Sequence, residues 1–417
     1  MPAIYNPEDV VQVWPFSRQK EGSEIIIGRA DIGSFVALSP EAVEVLDYLA
    51  EGKSIREVAD WHQQKYGSTP DLADFLQALE ENGIIKTRDS EDKPIATFKS
   101  QKGKRYYFSS IPESVAQRIF SFPVILICCL LIAGAIGILI RIPTLIAHPR
   151  ELYVPDHRTL TFAILVIVGY ASVIVHEFSH IVATRAQGIN SRLGFGHRLW
   201  DLVVEADLTG LWSVPKRQRL LPLLAGSLHD AFMGALLTYL LVADHEGWLA
   251  MSPLAVRILR LSLLVFITRI GWQGFIFVRT DYYYLLATLL NCRNLLGDTE
   301  DFLRNGLAKV IPWISRVDQS AIPRSERRVI PFFALLWIAG RALALGWFFR
   351  VTVPVLSRYT ANLIHVVHAG YAANPSNYID SVLLYLLLVL PITAGTTLWS
   401  ISIVQRVTGA IKSSAAA

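Results

Sequence analysis

Leu160-Thr161-Phe162-Ala163-Ile164-Leu165-Val166-Ile167-Val168-Gly169-Tyr170-Ala171-Ser172-Val173-Ile174-Val175-His176-Glu177-Phe178-Ser179-His180 is an apolar run that ends in two histidines and a glutamate. Positions four apart share one face of a helix, so His176 and His180 can present two imidazoles to one zinc ion while Glu177 reaches the attacking water. The chemistry implied is metal-assisted peptide hydrolysis. Because Leu160 to Val175 lead straight into the motif, its helix belongs at or inside a membrane, where ionisable side chains are costly and functional by default.

Composition agrees with that placement. The 417 residues are 52% hydrophobic and only 18% charged, with a mean hydropathy of +0.39, too apolar for a soluble domain of this length. Cys128 and Cys129 are adjacent and Cys292 is alone, which excludes a disulfide framework and a four-thiolate metal site and leaves small apolar packing residues. No basic segment followed by a short apolar one opens the chain, so the N-terminus is expected to stay in the cytosol.

Residues 1 to 95 read differently from the rest. Val11 to Ser17, Glu24 to Ala30 and Ser34 to Leu38 are short β-prone stretches. Three helices are predicted after them. Ser39-Pro40 opens the first and Gly52 stops it, Ser54 to Glu57 form a capping box for the second, which ends at Gly67, and Thr69-Pro70 opens the third. In the third, Leu72, Phe75, Leu76 and Leu79 fall on one face, and Gly83 closes it. The expectation is a small α+β, winged-helix-like unit.

The run Gly28-Arg29-Ala30-Asp31-Ile32-Gly33-Ser34-Phe35-Val36-Ala37-Leu38-Ser39-Pro40-Glu41, continuing through Val43 to Leu46 and Gly52 to Ile55, resembles the PqqD-like domain. That family includes the elements that recognise leader peptides of ribosomally made, modified peptides. The resemblance implies that a leader pairs as an extra strand on the sheet edge and rests on the third helix. Carried over, the peptide-binding positions are Phe35, Val36 and Leu38 on the edge and Leu72 and Leu76 on the helix. Nucleic acid is excluded as a partner, since acidic residues outnumber basic ones about two to one through residue 93.

Residues 96 to 116 form a linker in which Lys99, Lys102, Lys104 and Arg105 precede Tyr106 and Tyr107, a composition suited to the cytosolic face of a bilayer. From 117 to 410 the chain reads as a multi-spanning α-helical membrane domain. About six runs reach the roughly 20 residues a span requires: 117–140, 159–182, 219–243, 254–279, 329–350 and 379–404. With the N-terminus inside the cell membrane, the Arg- and Lys-rich loops at 183–218 and 281–328 fall in the cytosol. Arg257 and Arg260 spoil the pattern at the outer end of the fourth run.

A zinc hydrolase needs a third protein ligand. The second run and the fourth both head inward, so Asp281, just past the end of the fourth, arrives at the depth of the histidines. Here the chain resembles the site-2 protease family of intramembrane zinc metalloproteases, in the branch found with peptide-modification systems. Three segments carry the resemblance: the histidine motif, Leu224-Ala225-Gly226-Ser227-Leu228-His229-Asp230, similar to that family's Ala-Gly-Pro-x-x-Asn, and Asp281-Tyr282-Tyr283-Tyr284, similar to its Asp-Gly-Tyr. The family pattern implies His176, His180 and Asp281 as zinc ligands, Glu177 as general base and a substrate-positioning role at position 230. Ser227, Asp230 and Tyr282 depart from the family's proline, asparagine and glycine.

Other polar residues have structural readings. Asp230 and Arg269 lie at similar depth and are expected to form an ion pair. Arg341 has no partner that the sequence names. His365 and His368 fall in an expected outer loop without a carboxylate or thiolate pattern, which disfavours a second metal site. Between Gly188 and Lys216, glycines punctuate β-prone residues such as Leu202-Val203-Val204, and either a sheet that holds substrate extended or a plain surface hairpin follows.

The leading expectation is a membrane zinc endopeptidase that captures a precursor peptide by its leader and cuts it near the cytosolic face, with peptide-modifying enzymes or an exporter as further partners. Two alternatives stand beside it: site-2-type cleavage of a membrane-anchored signalling protein, and an inactive peptide-binding scaffold. An intact Glu177 argues against the scaffold, and the PqqD-like unit argues against signalling.

Overall fold

The structure is a computed structural model and describes residues 5–22, 24–29, 32–68, 70–86, 111–146, 158–198, 201–311, 314–320 and 322–415. The basic residues of the expected linker, Lys99 to Arg105, and Tyr106 and Tyr107 lie outside the described residues. The chain divides into two compact units, one of Met1–Gln117, Ile181–Arg192 and Asp207–Leu221, the other of Arg118–His180, Leu193–Ala206 and Pro222–Ala417.

The first unit opens with β1 (Gln12–Val13), β2 (Ser17–Glu21), β3 (Glu24–Arg29) and β4 (Ser34–Leu38). The single strand expected over Val11 to Ser17 is broken into two because Pro15, which has no N–H to donate, interrupts it. Before the break β1 pairs with a strand that the sequence did not announce, β5 (Ile85–Lys86), while after it β2 joins β3 and β4 in an antiparallel sheet with β3 in the centre.

Between them come α1 (Pro40–Ala50), α2 (Ile55–Tyr66) and α3 (Leu72–Glu81). The capping box forms as expected, with the Ser54 N–H donating to Glu57 Oε2 at 2.8 Å and the Glu57 N–H to Ser54 Oγ at 3.3 Å. Asp71, and not Thr69, caps α3, its side chain accepting from the Asp74 N–H. Ile27, Leu46, Leu49, Leu76 and Leu79 are buried together as one core, and each fully buried side chain of this size contributes about 1.5–3 kcal/mol.

This unit is larger than the sequence reading of residues 1–95, because two later stretches join it. Glu21 of β2 forms an ion pair with the buried Arg219, which also donates to the Val214 carbonyl and lies over the Trp212 ring. Arg185 donates to the carbonyl of Ile111 at 3.1 Å, just ahead of α4 (Glu113–Ile119).

The second unit is helical apart from one hairpin. It contains α5 (Phe122–Arg141), most of α6 (Arg158–Arg185), β6 (Leu193–Arg198) paired antiparallel with β7 (Asp201–Ala206), and nearly all of α7 (Lys216–His245). Next come α8 (Pro253–Gln273), α9 (Asp281–Leu290), α10 (Leu295–Leu307), α11 (Arg324–Trp347), α12 (Val353–Ala369), α13 (Pro375–Leu384) and α14 (Leu390–Ala415).

Among the described residues, five stretches of helix are long and apolar enough to cross a membrane: Glu113–Arg141, Ala163–Arg185, Lys216–His245, Arg324–Ala369 and Pro375–Gln405. The expected fourth run is a helix, α8, but it is not one of the five. It carries Arg257, Arg260 and Arg269 and stops at Gln273 rather than 279.

The fifth run continues far beyond residue 350. A π turn at Phe348–Thr352 joins α11 to α12, just ahead of Pro354, and a second at Tyr385–Val389 joins α13 to α14, just ahead of Pro391. A proline removes one i→i−4 bond and crowds the carbonyl four residues back, and a widened turn relieves both. His365 and His368 therefore stand on α12 and not in a loop.

Candidate metal centre

Two helices of the helical unit, α6 and α9, bring three ligand atoms to one point. His176 Nε2 lies 3.0 Å from Asp281 Oδ2, His180 Nε2 lies 3.2 Å from the same oxygen, and the two Nε2 atoms are 3.3 Å apart. Among the described residues, this is the one group of three or more histidine, cysteine or acidic side chains that could hold a metal ion.

The geometry passes a simple test. Ligands held about 2.0–2.1 Å from a tetrahedral ion are separated from one another by about 3.3 Å, close to all three distances. The tautomers pass another. His180 Nδ1 lies 2.7 Å from the Pro222 carbonyl and His176 Nδ1 lies 2.7 Å from Asp230 Oδ2, and both partners can only accept. Each ring therefore spends an N–H at Nδ1 and, in its neutral form, turns an Nε2 lone pair toward the other ring and toward a carboxylate. Such a set is mutually repulsive until a cation sits among its members.

The elements position these atoms by matched periodicity. His176 and His180 are four apart on α6, and Pro222, Gly226 and Asp230 are spaced by four on α7. Pro222 touches His180, Asp230 touches His176, and Gly226 lies between. A Cβ on Gly226 would stand 2.4 Å from His176 Nε2 and 2.5 Å from His180 Nε2, so only glycine lets the α7 backbone pass over the two rings.

Asp281 is the first residue of α9. Its backbone N–H donates to Gln273 Oε1 at 3.0 Å, and Thr280, the helix cap, donates its hydroxyl to the Gln273 carbonyl. Burial pushes this carboxyl up, and positive charge among the three groups, carried by the imidazoles when they are protonated, holds it below the ordinary carboxylate range, in its anionic form. Two residues on, burial pushes the Tyr283 phenol up to about 12, and its oxygen accepts from the Leu296 N–H at 3.0 Å.

Glu177 stands beside the centre, with Oε1 4.0 Å from His176 Nε2. Its Oε2 accepts from the backbone N–H of Ala206, the last residue of β7, at 2.8 Å. The hairpin expected between Gly188 and Lys216 thus contributes a direct tether to the glutamate. Its strands pair from Leu193 with Ala206 to Arg198 with Asp201, and α14 packs against them.

No family model, curated protein or solved structure matches the chain. The site rests on its geometry.

Asp230 is fully buried and accepts both from His176 and from Arg269 Nε at 3.1 Å, while Arg269 also donates to Ser172 at 3.0 Å. The ion pair read from the sequence is present, and the same Asp230 oxygen also contacts the His176 ring. Asp230 has no exposed surface, and its other oxygen, Oδ1, is buried without a hydrogen-bond partner.

The expected peptide-binding positions divide. Phe35, Val36 and Leu38 lie on β4, which among the described residues pairs with β3 alone. Val36 and Leu38 face the core and Phe35 the other side, across Gly28. Leu72 and Leu76 are core residues and are not surface contacts. The apolar periodicity that suggested a binding face on α3 is the signature of its buried side.

Gln273, Gly226, Pro222 and Ala206 had no role in the sequence reading. One signal for two of them was present, the fourfold spacing of Pro222, Gly226 and Asp230, which repeats that of the histidines.

Proposed function

We propose that this chain is a multi-pass protein of the cell membrane, its N-terminal unit cytosolic, that uses one zinc ion to hydrolyse peptide bonds, and that its substrate is a precursor peptide captured by its leader. The observation that carries the reading is the convergence of three buried metal-ligating atoms, two imidazole nitrogens and a carboxylate oxygen, beside a glutamate. His176, His180 and Asp281 would hold the ion, which when bound supplies Lewis acidity toward a peptide carbonyl and makes water easier to deprotonate.

The protein's own groups supply the rest. Glu177 has one oxygen anchored by the Ala206 N–H and the other turned toward the histidines, so Oε1 can take a proton from water and return it to the departing amine. Asp230 holds His176 in the ligating tautomer, and Arg269 balances the charge of Asp230. A leader adding to the free edge of β4 would run beside Phe35, with the backbone groups of Val36 and Leu38 as partners. The five long apolar helices support the membrane setting. The complete catalytic set favours an enzyme over a scaffold.

Zinc measured by mass spectrometry on the purified full chain should be one per molecule and should fall in Asp281→Ala. Glu177→Gln should keep the metal and lose cleavage of a peptide library by about 10²–10⁴, since shape is kept and basicity is not. Wild-type protein without zinc, or Glu177→Gln cleaving at full speed, would sink the proposal.

A further inference from the structure

The helical unit holds a cavity of about 1140 Å³ with walls from α10, α11 and α14 and from Val278 and Arg279. It is larger than the roughly 300–1,000 Å³ typical of small-molecule sites. Its charge is one-sided. Arg279, Arg304, Lys309 and Arg341 line it, against the single acid Glu300. The guanidinium of Arg341 lies 5.0 Å over the Trp337 ring, midway along an apolar helix where a cation is expensive and marks a function by default.

The rest of the wall is oily, and its edge is open. Phe302, Leu307 and Ile338 line the cavity and are themselves substantially exposed, so an apolar chain can enter from the side. The indole N–H of Trp337 is buried in this wall and has no acceptor among the described residues. A ligand that satisfies all of these features carries an anionic head with acceptor oxygens and a long apolar tail.

We propose that this cavity is a binding site for one anionic phospholipid, with the phosphate among Arg304, Lys309 and Arg341 and the acyl chains along α11 and α14. Basic pockets between apolar helices bind such headgroups because the charge is matched where water is scarce. A soluble phosphate would leave the oily walls uncovered, and a zwitterionic lipid would bring a cation of its own to a lining that already carries four against one acid. The inference needs the helices to sit in a bilayer but does not need the metal centre to cut anything.

The full chain in mild detergent, mixed with equimolar phosphatidylglycerol and phosphatidylcholine and passed through gel filtration, tests it by mass spectrometry of the retained lipid. Phosphatidylglycerol should be retained at least about tenfold over phosphatidylcholine, with a loss of about fivefold in preference per cation removed in Arg304→Gln, Lys309→Gln and Arg341→Gln. Arg341→Lys should keep the preference, and so should Arg257→Gln, which lies outside the cavity. Thermal unfolding in the same detergent reports that each variant is folded. Equal retention of the two lipids, a preference that survives the triple variant, competition by water-soluble glycerol phosphate as strong as by the lipid, or displacement by a peptide would each overturn the assignment.

Discussion

The N-terminal core and the helical unit solve opposite problems with the same residue types. In the first, Ile27, Leu46 and Leu76 are inside. In the second, Phe332 and Leu343 are 79% and 75% exposed, while His176, His180, Asp230 and Asp281 are buried. The hydrophobic effect places a side chain relative to water, so an apolar exterior is stable where lipid replaces water. The interior of the helical unit adds polar pairing to apolar contacts such as those of Leu145, Leu241 and Leu263: Arg269 with Asp230, Asp230 with His176, Gln273 with Asp281. The same pairs surround the candidate metal centre.

That contrast can be broken most sharply at Gly226. If the helical unit is organised around a polar centre, Gly226→Ala should abolish zinc binding, because its Cβ would stand where the two Nε2 atoms are. The substitution raises helix propensity by about 1 kcal/mol, so α7 should survive and thermal unfolding should show a folded chain. Full zinc content in this variant would remove the close approach from the account.

Next in size is a pair of truncations that sharpens the comparison. Leu76→Ala should destabilise the N-terminal unit by about 2–5 kcal/mol through the cavity that it leaves. Phe332→Ala should change stability by less than about 0.5 kcal/mol. Hydrogen exchange in detergent, followed separately in the two regions, measures both, and similar losses would mean that the two regions are not inverted. A smaller loss than that at Leu76 is expected for Asp230→Asn, which weakens the orientation of His176 without removing a ligand. Zinc affinity, read by competition with a chelator, should fall about 10- to 100-fold.

Much of the site was legible because its first half is local. The spacing of His176, Glu177 and His180 is a property of any helix, and the apolar run before it announces that helix. Asp281 was reachable by counting spans, although the helix supposed to deliver it ends at Gln273 and a new one begins at Asp281 itself. The face of α3 was legible too, but periodicity shows only that Leu72 and Leu76 share a side and not whether that side meets a peptide or the core. Pro15 was a visible strand breaker whose consequence, the pairing of β1 with β5, was not.

By itself the sequence determined what depends on a few consecutive residues: the histidine spacing, the capping box at Ser54, and the apolar stretches, five of which are helices long enough to cross a membrane. Only the tertiary structure decided that Pro222, Gly226 and Asp230 face the histidines, that Gln273 holds Asp281, and that the end of β7 anchors Glu177. The physical reason is register. A partner 54 or 105 residues away, as Asp230 and Asp281 are from His176, is set by how two helices slide and turn against each other, and no local pattern in either helix encodes that offset.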